Sequence, residues 1–183
     1  MNAKKWTIGV VAVVDVPKLA PKVIAAHVTG YLKLPAEILT PLAHPAYAFD
    51  DTRLQYDVGK ILSYFESCPY DHYDKVIGVF NVDLFVPTFT HVFGEAKQAG
   101  MHALVSLFRL DEGSEGHNPS SPLLFERVAK VALHELGHLF NLFHCQHKNC
   151  LMHYSGGLAD LDECPLYFCR YCSTYFQDAL AHP

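Results

Sequence analysis

No stretch of the 183-residue chain approaches the ~20 consecutive apolar residues that a membrane-spanning helix requires, so no membrane association is expected. A basic excess is missing too. Fourteen Lys+Arg face nineteen Asp+Glu, and this excludes the polycationic surface that neutralises a nucleic-acid backbone or an anionic bilayer. Internal repeats, low-complexity runs and an evident linker are all lacking, and the length fits one domain of the usual ~100–200 residues. Half of the residues are hydrophobic and 13% are aromatic, enough to fill a core and to exclude a disordered chain.

The excesses are twelve histidines and a cluster of cysteines, five of the six lying between Cys145 and Cys172. Such clusters imply metal or disulfides, and the redox compartment decides between them. Lys4-Lys5 and the apolar run Trp6 to Val14 have the outline of a short signal peptide. Asp15 closes that run, however, and no small-x-small cleavage site comes after it. Rich in valine with Gly9 embedded, the run suits a buried strand better. A cytoplasmic protein is expected, and there clustered thiols hold zinc more often than they pair.

The first 110 residues alternate between strand and helix patterns. Strands are expected at 6–14, 37–49 and 73–79, with helices over 17–34 and 57–68, and further extended segments at 90–96 and 102–110. This β-α-β-α-β order predicts an α/β fold with a largely parallel, covered sheet and antiparallel additions late in the chain. Segment 111–121 is polar and turn-rich, and reads as a loop. Ser121 and Pro122 then have the chemistry of a helix N-cap and first turn. Leu124, Val128, Val131 and Leu139 give that helix a core face, and Glu126 with Lys130 forms an i,i+4 pair expected on the wet side.

His134 and His138 lie one turn apart on this helix, so their imidazoles share a face within reach of one metal ion. Glu135 is rotated by ~100°, where its carboxylate reaches a metal-bound water rather than the metal. His144 joins them only if the helix stops and the chain turns back near position 141. That turn needs a residue with positive φ, normally glycine. Asn141 is the substitute best able to adopt it, at a cost of roughly 1 kcal/mol.

The stretch from His134 to His144, H-E-L-G-H-x-x-N-x-x-H, resembles the long zinc-binding motif of the metzincin metallopeptidases, with Asn141 in the glycine place. The residues after it narrow the resemblance to the archaemetzincins: Cys145 directly after His144, then Cys150, Leu151-Met152, and later Cys169-x-x-Cys172. D-L-F-V-P-x-F-T-x-V-F-G-E-A at 83–96 and V-S-L-F-R-L at 105–110 carry the resemblance into the scaffold. It implies a metzincin-like twisted mixed sheet with helices in one domain over 1–183. Residues 1–144 would form an N-terminal subdomain with the active-site helix, and 145–183 a small C-terminal subdomain braced by a four-cysteine zinc site.

The same resemblance implies two zinc ions per chain. His134, His138 and His144 would hold a catalytic one with an open fourth position, and Glu135 would be the general base for attack of zinc-bound water on a peptide bond. Cys145, Cys150, Cys169 and Cys172 would saturate a structural one. Cys164 competes for a place in that set. Met152 resembles the Met-turn methionine beneath the imidazoles. Tyr154 resembles a tyrosine that stabilises the transition-state oxyanion, although an ordinary half-buried tyrosine fits it equally. Cys68 reads as a buried thiol, and His117, His147 and His153 as surface or supporting residues. The family implies an edge strand near 105–110 beside the cleft, whereas the apolar run there reads as internal. A monomer acting on a peptide or protein substrate is expected. The alternatives are a zinc-stabilised peptide-binding or regulatory module without proteolysis and a small-molecule amidase.

Overall fold

The computed structural model describes residues 5–111 and 121–182. In chain order the strands are β1 (Ile8–Ala12), β2 (Ala36–Ile38), β3 (Phe49–Asp50), β4 (Gln55–Asp57), β5 (Lys75–Phe80), β6 (Leu84–Phe85), β7 (Gly94–Ala96) and β8 (His102–Ser106). The α-helices are α1 (Leu19–His27), α2 (Val58–Glu66), α3 (Pro122–Leu139), α4 (Leu158–Glu163) and α5 (Arg170–Ala181). A five-stranded sheet runs β2-β1-β5-β8-β7, and a small second sheet runs β3-β4-β6. The first four strands of the large sheet are parallel, and β7 joins its edge antiparallel to β8. This is the expected α/β architecture with an antiparallel late addition.

β1 is buried along its whole length because it lies between β2 and β5 with helices on both faces of the sheet. Such strands carry continuous rather than alternating apolar residues. α1 and α3 pack together on one face, and α2 covers the other. Asp57 starts α2 as expected, its carboxylate accepting from the amides of Gly59 and Lys60. One continuous apolar core reaches from Trp6 to Phe176. It joins the C-terminal segment to the rest through Trp6, Phe140 and Phe176, whose rings meet edge to face, and through the Trp6 indole N–H donating to Leu180 O.

Several expectations are corrected. The expected strand at 37–49 is not continuous: β2 pairs with β1 over Ala36–Ile38, Phe49 belongs to β3 of the other sheet, and between them Pro41 and Pro45 supply no backbone donor. Beyond β2 the chain runs beside β1 through isolated bonds such as Leu42 N–H to Ala12 O, then enters a single 3-10 turn at Ala46–Ala48. The helix expected over 17–34 is α1 continued by one wider turn that ends on left-handed Lys33. Lys130 is not on the wet side: it is 3% exposed, and its ammonium bridges Glu126 and the carbonyls of Leu161 and Asp162. β8 is internal and β7 is the edge strand. Cys68 is only partly buried. Ser121 stands at the N-cap of α3, but its side chain makes no capping bond. His117 and most of the 111–121 segment lie outside the described residues.

Candidate active site and metal centres

The geometry of the site begins at the end of α3. Asn141 has φ 66°. Its N–H bonds to His138 O at 3.0 Å, and the N–H of Leu142 bonds to Gly137 O at 3.0 Å. This is the paired bonding of a left-handed helix stop. The chain doubles back, and the ring of His144 comes to lie 5.2 Å from that of His134 and 4.8 Å from that of His138. One ring nitrogen from each of the three lies within 4.8 Å of the others.

The hydrogen bonding fixes what those nitrogens offer. The carbonyls of Leu151 and Leu142 can only accept, so His134 and His138 donate to them from Nδ1, at 2.7 and 2.8 Å. Burial lowers the pKa of all three imidazoles, that of His134 to about 3. The rings are therefore neutral, and Nε2 carries a lone pair in His134 and in His138. These two Nε2 atoms stand 3.1 Å apart with no proton between them. Facing lone pairs repel, and a cation removes the repulsion. Zinc–nitrogen bonds of ~2.0–2.1 Å at tetrahedral angles place two ligands ~3.3 Å apart, so the donor set fits zinc.

Glu135, 8% exposed, opens onto the same cavity, a cleft of about 490 Å³ between α3 and β7. Burial first, and the nearby carboxylate of Glu95 second, push its pKa well above the ordinary carboxylate range. Tyr154 lines the cleft with its ring 5.4 Å from that of His144, and it is half exposed. Met152 is fully buried beneath α3.

Two glycines that sequence reasoning passed over make these approaches possible. A Cβ on Gly137 would lie 2.5 Å from Met152 Sδ, and one on Gly94 would lie 2.9 Å from Glu135 Cγ. A glycine inside a helix and another inside a strand were the available signals. Glu95, which also lines the cleft, fell within the family-like segment 83–96 without a role being assigned to it, and Gln98, beside it on the cleft, carried no recognisable signal.

The cysteine set lies on the far side of His144. The thiols of Cys145, Cys150, Cys169 and Cys172 lie within 4.8 Å of one another and none is in a disulfide. Cys145 Sγ and Cys169 Sγ are 3.8 Å apart. That is the edge, ~3.8 Å, of a tetrahedron built on zinc–sulfur bonds of ~2.3 Å. Backbone N–H groups of His147 and Cys169 point at Cys145 Sγ and Cys150 Sγ, at 3.4 and 3.3 Å. Burial pushes the Cys150 thiol up to about 11, so ionising that buried sulfur calls for a cation. Cys164 stands apart, donating to Cys150 O at 3.5 Å. His153 supports the turn through Cys145 O, and His147 stacks on Tyr171.

The chain matches the model of peptidase family M54 over residues 17–178. It is 37% identical over 142 residues to the archaemetzincin of Methanocaldococcus jannaschii, covering 78% of this chain and 77% of that one. The crystal structure of the archaemetzincin from Methanopyrus kandleri is similar, with a TM-score of 0.83, 32% identity, and coverage of 96% of this chain and 95% of that one. A zinc-dependent peptidase from Methanocorpusculum labreanum is similar at a TM-score of 0.82 and 28% identity, with coverage of 92% and 99%. The chain belongs to peptidase family M54, the archaemetzincin family of zinc metallopeptidases.

Proposed function

We propose that the chain hydrolyses peptide bonds at a zinc ion held by His134, His138 and His144, with Glu135 as general base. The observation that carries this reading is the convergence of three neutral imidazoles, with facing Nε2 lone pairs on two of them, beside the buried carboxyl of Glu135, which opens onto the same cleft. When bound, the zinc ion supplies Lewis acidity, acidifying water and polarising the carbonyl.

The remaining steps fall to the chain's own groups. β7 offers an edge with no strand partner on its outer side among the described residues, so an extended substrate can pair with it through backbone hydrogen bonds. Glu135 takes a proton from the water whose oxygen attacks the carbonyl carbon. It then delivers that proton to the amine nitrogen as the C–N bond breaks. The Tyr154 hydroxyl donates to the oxyanion. Met152, packed against Gly137, supports the floor of the histidine site.

In this reading a second, structural zinc ion sits in Cys145, Cys150, Cys169 and Cys172. It braces a C-terminal subdomain, 145–183, against an N-terminal one, 1–144, within a single-domain monomer. Unpaired thiols support a reducing, cytoplasmic setting. No helix among the described residues is long and apolar enough to cross a membrane. A pure binding module would have no need of the base.

Metal analysis of the full chain tests the reading together with Glu135→Ala. Two zinc ions per chain are expected, and the variant should keep both while losing about 10²–10⁴-fold in peptide hydrolysis. A zinc content unchanged by loss of His134 and His138 would remove the catalytic assignment.

A further inference from the structure

The turn that brings His144 back is held from outside by the connection between β7 and β8. Gln98, in that connection, donates both hydrogens of its amide: one to Asn141 Oδ1 at 3.2 Å, the other to Leu142 O at 3.1 Å. Leu142 O is the same oxygen that accepts from Nδ1 of His138. The neighbouring Ala99 has φ 54°, a left-handed conformation in a residue that is not glycine. Its N–H reaches His138 O at 2.9 Å, beside the N–H of Asn141 on the same carbonyl. Two strained residues, Ala99 and Asn141, thus meet across one contact. Strain of this kind persists where the surroundings over-determine it.

We propose that Gln98 is a positioning residue for the metal-binding histidines, a clamp that makes asparagine workable at position 141. Glycine reaches the left-handed region without cost, whereas asparagine needs a reason to stay there. Gln98 supplies it by gripping the asparagine's own side chain. Its second bond orients the carbonyl that sets the tautomer of His138 and so aims Nε2 at the metal position. Partners of this kind around a ligating histidine govern metal affinity and activity together. The two residues act as a pair: with glycine at 141 the first bond could not form and would not be needed. The role of Gln98 in catalysis rests on the zinc reading of the histidine site, but the clamp itself is a property of the turn.

The test is a double-mutant cycle in the full chain with Gln98→Ala, Asn141→Gly and their combination. Zinc affinity of the histidine site is read by chelator competition, and amide hydrogen exchange at Asn141 and Leu142 is read with zinc removed from that site. Gln98→Ala should weaken zinc binding about tenfold, lower kcat with KM unchanged, and speed exchange at both amides by a similar factor. With glycine at 141 the same replacement should cost about threefold or less. Gln98→Glu keeps the size but has no hydrogens to donate, so it should do at least as badly as alanine.

Equal losses in both backgrounds, full zinc affinity in Gln98→Ala, or wild-type behaviour of Gln98→Glu would each overturn the proposal. Exchange that shows the expected pattern in a chain whose histidines bind no zinc would uphold the clamp and remove the catalytic reading. Zinc binding with unaltered exchange would do the reverse.

Discussion

The histidine and cysteine clusters share a boundary, His144 next to Cys145, yet are built in opposite ways. The histidine cluster opens on a cleft of about 490 Å³, and its third member is exposed. In the cysteine cluster Cys150 and Cys172 are buried and the other two partly so, with backbone N–H groups aimed at the sulfurs. Ligands left accessible suit an ion that must take a substrate oxygen, and ligands closed over suit an ion that only ties chain to chain. The boundary also couples the two clusters in one direction. Cys145 N–H bonds to Met152 O at 2.7 Å, and Leu151 carries the carbonyl that holds His134. Damage to the cysteine side should therefore reach the histidines, and damage to the histidine side should stay local.

Removing one ligand from each cluster gives the largest expected effects. If the cysteine set holds zinc as proposed, Cys150→Ser should lose that ion and more than about 4 kcal/mol of stability, a fall in melting temperature of roughly 10 °C or more, because zinc bound there would be folding energy. The histidine site should lose its zinc in the same variant. His138→Ala should cost about 1–2 kcal/mol and leave the cysteine-bound zinc in place, since the core holds α3 without it. Calorimetry with metal analysis reads both. A Cys150→Ser chain that keeps its histidine-site zinc would break the directional coupling.

Much of this was legible in the sequence, for physical reasons. One turn separates His134 from His138, so their common face is set by helix geometry alone, and the need for positive φ near 141 comes from the spacing to His144. β1 was readable because burial on both faces leaves an unbroken apolar run. The features that escaped were tertiary. Lys130 has the spacing of a solvated i,i+4 pair, and nothing local says that α4 will lie over it. Likewise the three residues of β7 carry too little pattern to mark a sheet edge, and the edge expected near 105–110 came from the family resemblance, while the apolar run of β8 itself read as internal, as it is. Gln98 is an ordinary loop glutamine until Asn141 is placed beside it.

A smaller effect than that of Cys150→Ser, and one that leaves both clusters their metal, is expected where α3 and α4 are tied together. Arg127, 5% exposed at its side chain, makes two bonds to Asp162 at 2.7 Å and a third to Leu110 O. The guanidinium's hydrogen bonds hold the Asp162 carboxyl below its ordinary pKa. A lowered acid pKa stabilises the fold above the unfolded value, near ~3.9, and that contribution is lost as pH falls through the folded value. Asp162→Asn should cost about 2 kcal/mol at neutral pH, less than a fully buried pair because Asp162 is about a third exposed. The difference from wild type should shrink below about pH 4, as tracked by denaturant melts across pH. Zinc content at both clusters should be unchanged, which separates this tie from the Cys150 effect.

The smallest and most selective change is at Gly137. Alanine would improve helix propensity by up to ~1 kcal/mol, but its Cβ would meet Met152 Sδ at 2.5 Å and Cε at 3.1 Å. Met152 has no exposed surface into which to retreat, so the sulfur must push the turn that carries Leu151 O away from His134. Overpacking of this kind costs about 1–3 kcal/mol, leaving a net loss near ~1 kcal/mol. Zinc affinity at the histidines should fall by a few-fold and kcat with it, while the cysteine site keeps its ion, since no thiol of that set is among the atoms nearest the new methyl. Pairing Gly137→Ala with Met152→Ala should restore most of the zinc affinity if contact with the sulfur is the cause. A loss that persists in the pair would mean that position 137 acts through the helix backbone, and that the floor under the histidines is set independently of the segment joining the two clusters.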